Sequence, residues 1–142
     1  MDNGISTLVF SCGMAAIVTT FLSLLKNGDH IICSRFLFGN TNSLIGTLEG
    51  YGIEVSFVDA TDIEQVKSAQ QENTRLVFVE TIANPATQIS ALDKIGDFCE
   101  AQGLVYVIDN TLTSSYLFDA VKAKASLIVT SLSKYVAGHG NA

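Results

Sequence analysis

Short, unbroken runs of β-branched and aliphatic residues recur along this chain, and they constrain its fold more than any other feature. They lie at residues 6–10, 30–34, 75–80, 104–108 running into Asp109, and 126–130, with a more alternating run at 53–58. Strands that are apolar nearly throughout suit a parallel sheet covered on both faces, whereas half-solvated strands alternate. Between them, residues 14–26, 41–51, 62–71 and 92–102 read as helices. Gly28, Gly52 and Gly103 stand just past three of these stretches, where a helix commonly stops. Strand and helix thus alternate, and right-handed βαβ crossovers follow as the default connection. The expected fold class is α/β: a mostly parallel sheet with helices on both faces.

Residues 5–25 carry no charge, a length that also suits a membrane span. Three features argue against that. Ser and Thr are scattered through the segment, Gly13 interrupts it, and the amino end, Met1-Asp2-Asn3-Gly4, has no positive region of the kind a signal peptide carries. A buried strand at 6–10, a turn at 11–13 and a largely apolar helix explain the segment better. Composition narrows the rest. Hydrophobic residues make up 48% of the 142, and the net charge of −6 leaves no cationic stripe for nucleic acid. This is too apolar for a disordered chain. Cys12, Cys33 and Cys99 are odd in number, widely spaced and without a CxxC, so neither a disulfide framework nor a zinc site is expected. All three read as buried, inert thiols of a cytoplasmic protein, with no metal and no membrane partner.

Ligands of such sheets bind at the carboxyl ends of strands. At residues 11–14 a small-residue turn feeds a helix, presenting free N–H groups that suit a phosphate and equally suit a plain tight turn. GxGxxG and the P-loop are both absent, so a dinucleotide or nucleoside triphosphate is not supported. Asp109 ends an apolar strand, where a carboxylate can bind a metal, cap a helix or pair with a protonated ring nitrogen. Lys134 follows Ser131-Leu132-Ser133. Desolvation at a buried strand end would free its amine as a nucleophile toward carbonyls, while an exposed lysine would merely snorkel. A phosphate turn, a strand-end Asp, an aromatic ring for stacking and a Schiff-base lysine are together the parts of a pyridoxal-phosphate site.

Ser-Cys-Gly-Met-Ala-Ala-Ile, Phe-Gly-Asn-Thr, Val-Glu-Thr-Ile-Ala-Asn-Pro, Val-Ile-Asp-Asn-Thr and Ser-Leu-Ser-Lys-Tyr-Val-Ala-Gly-His-Gly occur in that order. In these motifs the chain resembles the Cys/Met-metabolism enzymes dependent on pyridoxal 5'-phosphate: cystathionine γ-synthase, cystathionine lyases, methionine γ-lyase and O-acetylhomoserine sulfhydrylase. The resemblance implies the fold-type I pyridoxal-phosphate transferase large domain. It implies a lyase or transferase acting on cystathionine, methionine or O-acylhomoserine type amino acids, by elimination or γ-replacement. In its terms Lys134 is the catalytic, cofactor-linked lysine and proton shuttle, and Asp109 pairs with the pyridine nitrogen. Gly13 and Met14 hold the phosphate through their backbone, with the hydroxyls of Ser131 and Ser133. Phe38 stacks on the ring, and Asn84 lies near the ring's phenolic oxygen.

The chain departs from the family pattern at Phe38, where Tyr is common, and at Ser133, where Thr is common. The first keeps stacking and lacks a hydroxyl; the second keeps its hydroxyl. Residues 1–142 would form part of the large domain, without the amino-terminal arm and carboxyl-terminal domain of homo-oligomeric full-length relatives. The strand at 6–10 would then lack its usual neighbour, an edge prone to association. Two alternatives have distinct signatures. A truncated relic would turn over little or no substrate. A flavodoxin-like module would explain the βα alternation and leave the Ser-x-Ser-Lys motif as coincidence.

Overall fold

The computed structural model describes residues 4–140; the reading of Met1–Asn3 lies outside that range. The chain runs α1 (Gly13–Leu24), β1 (His30–Ser34), α2 (Gly39–Glu49), β2 (Glu54–Val58), α3 (Ile63–Ser68), β3 (Thr74–Glu80), α4 (Leu92–Gln102), β4 (Val105–Asp109), α5 (Ser114–Leu117) and β5 (Leu127–Val129). The strands form one parallel sheet in the order β2-β1-β3-β4-β5. From β1 the chain moves outward to β2, then returns past β1 to β3 and continues to β4. A single hand of crossover puts helices on opposite faces when the direction of travel reverses. The two apolar cores show this. On one face α1 and α2 place Ile17, Phe21, Ile45 and Leu48 against Ile31, Cys33 and Phe78; on the other α3 and α4 place Val66, Ile95 and Phe98 against Ile32, Val77 and Ile108. Successive strand residues serve opposite cores, as the two-residue strand period requires.

The central strands are buried at every position or nearly so, which is why their sequence is almost continuously apolar. Phe21 meets Phe78 edge-to-face, with ring centroids 5.2 Å apart. Burying an aromatic or aliphatic side chain of this size contributes roughly 1.5–3 kcal/mol. The helix at 92–102 forms with the expected bounds, and Gly103 closes it in the left-handed conformation with its N–H on the Cys99 and Glu100 carbonyls. Other elements are trimmed relative to expectation. The first helix stops at Leu24, α3 spans only Ile63–Ser68, and β5 spans only Leu127–Val129.

The expected strand at 6–10 is not formed. Residues 4–11 are exposed and outside the sheet, with Ile5, Leu8 and Val9 open to solvent. No strand among the described residues lies beside this segment. Its apolar character is real; its pairing is missing. The thiol reading is also corrected at one position. Cys33 and Cys99 are buried, but Cys12 is exposed, and its Sγ accepts the Ala15 N–H at 3.4 Å, capping α1. Burial pushes the Cys99 thiol up to about 12 and raises Cys33 further. Among the described residues no helix is long and apolar enough to cross a membrane.

Candidate active site

The direction of travel reverses between β1 and β3, so the loops leaving these strands diverge and open a crevice at their carboxyl ends. Phe38 ends the loop after β1, and Asn84 lies in the loop after β3. Asp109 ends β4 beside Glu80 in parallel register, and Val129 of β5 flanks it on the other side. Beyond β5 the chain turns through Ser131 and Ser133 to Lys134, whose N–H donates to the Ser131 carbonyl at 3.1 Å.

The amino terminus of α1 packs directly on that turn. A Cβ placed on Gly13 would stand 2.9 Å from Ser131 Cβ, closer than side chains approach one another, so the position requires glycine. The first N–H groups of α1 have no acceptor within the helix. Cys12 Sγ takes that of Ala15, and Gly13 stands beside the Ser131 hydroxyl, which lies 3.3 Å from the Ser133 hydroxyl. The helix amino end and two hydroxyls thus lie together. That donor set matches a phosphate, which is best held by N–H and O–H groups at the positive end of a helix dipole. The Met14 sulfur accepts the buried Thr41 hydroxyl at 3.8 Å and ties α1 to the start of α2.

The cradle is joined to Asp109 by a short relay. The Ser131 N–H donates to Thr111 Oγ1 at 2.9 Å, and the Thr111 N–H donates to Asp109 Oδ1 at 2.9 Å. Desolvation raises the Asp109 pKa, and the Thr111 hydrogen bonds oppose that rise. Glu80 is 7% exposed and accepts the Phe38 N–H at 2.7 Å. Burial pushes its carboxyl up to about 7; Asp109 adds to the rise, while the Phe38 and Asn84 backbone N–H groups pull the other way.

The structure therefore brings Gly13, Ser131 and Ser133 together, with Met14 next along α1, links Asp109 to them, and connects Phe38 to the β3 end through Glu80. Phe38 is 41% exposed and Asn84 is exposed. Lys134 is exposed too, so the desolvation expected for it is not supplied by the described residues. Two surface grooves lie elsewhere, one between α3 and α4 around Ile63 and Phe98, the other beside Leu104 and Lys124. Glu80 is the residue that sequence reasoning passed over. An apolar strand ending in an acidic residue, in line with a second such strand ending in Asp109, was the available signal.

A parallel sheet with this strand order and a phosphate-type cradle beside a strand-end Asp defines the fold-type I pyridoxal-phosphate-dependent enzymes, and the comparisons agree. The O-acetylhomoserine sulfhydrylase of Wolinella succinogenes superposes with a TM-score of 0.87 at 38% identity, over 91% of this chain and 38% of that one. An O-acetylhomoserine (thiol)-lyase from Campylobacter jejuni, described as putative and carrying a pyridoxyl-lysine phosphate group, superposes with a TM-score of 0.88 at 34% identity, over 93% of this chain and 33% of that one. The L-methionine gamma-lyase of Fusobacterium nucleatum subsp. polymorphum is 36% identical over 99% of this chain. The family profile described as Cys/Met metabolism PLP-dependent enzyme matches residues 1–142, and the chain belongs to that family. It spans 36% of the methionine gamma-lyase, about a third of such a relative.

Proposed function

We propose that residues 1–142 are the cofactor-holding part of the large domain of a longer enzyme of sulfur amino-acid metabolism. Its substrates would be cystathionine, methionine or O-acylhomoserine type amino acids, and its reaction elimination or γ-replacement. The observation that carries this reading is the continuous path from the Gly13–Ser131–Ser133 cradle through Thr111 to Asp109. When bound, pyridoxal phosphate supplies an electron sink for charge developing at the substrate's α-carbon. The residues of this chain do the rest. Gly13 and Met14 N–H groups and the two serine hydroxyls bind the phosphate. Asp109 holds a proton at the ring nitrogen; burial strengthens that charge-assisted bond, and Thr111 orients the carboxylate. Phe38 would cover a ring face, Asn84 would lie near the phenolic oxygen, and Lys134 would hold the cofactor and move a proton at the α-carbon.

The exposure of Lys134 and Phe38 favours a second reading for the 142-residue chain alone: weak cofactor binding with little or no turnover. Further walls of the site would come from the rest of the enzyme or from another copy, and the open apolar residues Ile5, Leu8 and Val9 supply surface for such packing. Cytoplasmic residence is supported by the three free thiols. An absorbance titration with pyridoxal phosphate tests the proposal. The native chain is expected to bind saturably, and Ser131→Ala and Asp109→Asn to bind at least tenfold more weakly. Equal affinity in all three would refute it.

A further inference from the structure

From the geometry around Glu80 we infer that this carboxyl group is a positioning residue, a clamp at the end of β3 that fixes the backbone of Phe38 so that its ring faces the cofactor site. The inference rests on the cofactor reading above and assigns a function to a buried acid which that reading leaves unused. Glu80 sits in the middle of the sheet, where β3 lies between β1 and β4. It is 7% exposed, and no ion pair among the described residues compensates it. A buried carboxylate without a cation is costly, so its hydrogen bonds must serve a purpose. The strongest goes 42 residues back along the chain to the Phe38 N–H at 2.7 Å.

The Phe38 carbonyl accepts the Asn42 N–H of α2 at 3.0 Å, which leaves its own N–H to the strand-end carboxyl. Phe38 is the amino cap of α2, has no side-chain capping bond, and the residue is 41% exposed. Packing alone therefore does not set the ring's place. The Phe38 N–H is also one that α2 cannot satisfy internally, because it precedes the first helical turn. An acceptor planted on a central strand holds it instead. The loop that carries Asn84 leaves β3 directly from Glu80. One residue thus bears on both loops that flank the crevice, the stacking loop after β1 and the Asn84 loop after β3. The Ser90 hydroxyl donates to the Glu80 carbonyl at 2.9 Å and pins the far end of the second loop to the same residue.

Amide hydrogen exchange of the full chain without cofactor, followed residue by residue, tests the clamp in three variants. Glu80→Gln keeps an acceptor at the same reach and is expected to leave Phe38 exchange near native. Glu80→Asp keeps the charge but withdraws the oxygen by one methylene, and Glu80→Ala removes it. In both, Phe38 exchange is expected to accelerate about tenfold to a hundredfold, with the Phe78 amide unchanged. Glu80→Asp stands in if Glu80→Ala fails to fold. A pyridoxal-phosphate titration on the same samples should show affinity following Phe38 protection, with Gln near native and Asp weaker. Unchanged Phe38 exchange in Glu80→Asp, or loss of protection in Glu80→Gln equal to that in Glu80→Asp, overturns the clamp. The expected exchange pattern together with no saturable pyridoxal-phosphate binding in any sample, the native chain included, would instead leave the clamp standing and remove the cofactor reading.

Discussion

The two ends of the sheet contain the same kinds of polar residue, yet they are wired differently. At the amino end, buried His30 holds Thr74 Oγ1 at 2.7 Å through Nδ1 and Ser56 Oγ at 2.9 Å through Nε2. Asp29 accepts the Lys26 N–H at 2.9 Å and pairs with Arg75 at 3.2 Å. Burial works against the Asp29 charge, but the Lys26 N–H and the Arg75 guanidinium outweigh it and hold its pKa low. At the carboxyl end, Glu80 and Asp109 stand side by side with no cation facing either among the described residues, and both pKa values rise. Their partners are backbone N–H groups and hydroxyls that also shape the cradle. The amino end is paired within the fold, and on the function proposed above the carboxyl end would be where a ligand with a phosphate and a protonated ring is met.

The sharpest way to break this contrast is at Asp109. Asp109→Ala should weaken pyridoxal-phosphate binding about a hundredfold in an absorbance titration, the value of a charge-assisted hydrogen bond in a desolvated site. Affinity within twofold of native would mean that the carboxyl end is not wired for the ring.

The ends should also respond oppositely to pH. The Glu80 pKa is raised from 4.5 to about 7 in the fold, so its contribution is fully present below 4.5 and is lost as pH rises through about 7. The loss should be on the order of a few kcal/mol, and Glu80→Gln should flatten that limb of a denaturant-derived stability profile. The His30 pKa is lowered, chiefly by burial, with Glu54 opposing. Its contribution is present above the unfolded value near 6.5 and fades as pH falls below it. His30→Gln should flatten the acid limb only. A profile in which either substitution flattens both limbs would contradict separate wiring.

A smaller effect is expected at the junction of α1 with the Ser131 turn. Gly13→Ala should cost about 1–3 kcal/mol in chemical denaturation, because the added methyl meets Ser131 with no room to move. It should also reduce cofactor affinity, since it parts the helix terminus from the serines. The smallest effect belongs to the amino end. Arg75, whose side chain is 58% exposed, should cost under about 1 kcal/mol when changed to Ala and leave cofactor binding untouched.

The sequence made some of this organisation readable, for physical reasons that differ by element. The strands at 30–34, 75–80 and 104–109 are buried on both faces, so their composition alone marks them. Residues 6–10 look just as strand-like, but a strand also needs a neighbour, and no local pattern records whether one is there. The four-residue helix at Ser114–Leu117 was not foreseen; it starts at Ser114 with φ 53 and buries nothing, so it leaves no periodic trace. Gly13, Ser131 and Asp109 were readable as strand-end groups, and the structure adds the relay through Thr111 that joins them. Glu80 was readable as a strand-end group too, but nothing in the sequence marks its partner, the Phe38 N–H 42 residues back along the chain. The exposure of Lys134 left no mark in the sequence, because the apolar strand before it reads the same whether or not the turn that follows is covered.

The central claim is that one lysine at the mouth of this sheet takes the cofactor's aldehyde. Incubating the chain with pyridoxal phosphate, reducing with borohydride and mapping peptides by mass tests it directly. The account predicts a pyridoxyl label concentrated on the peptide containing Lys134 and absent from Lys134→Ala. A label spread evenly over Lys26, Lys67, Lys94, Lys122 and Lys124, or no label at all, would contradict it.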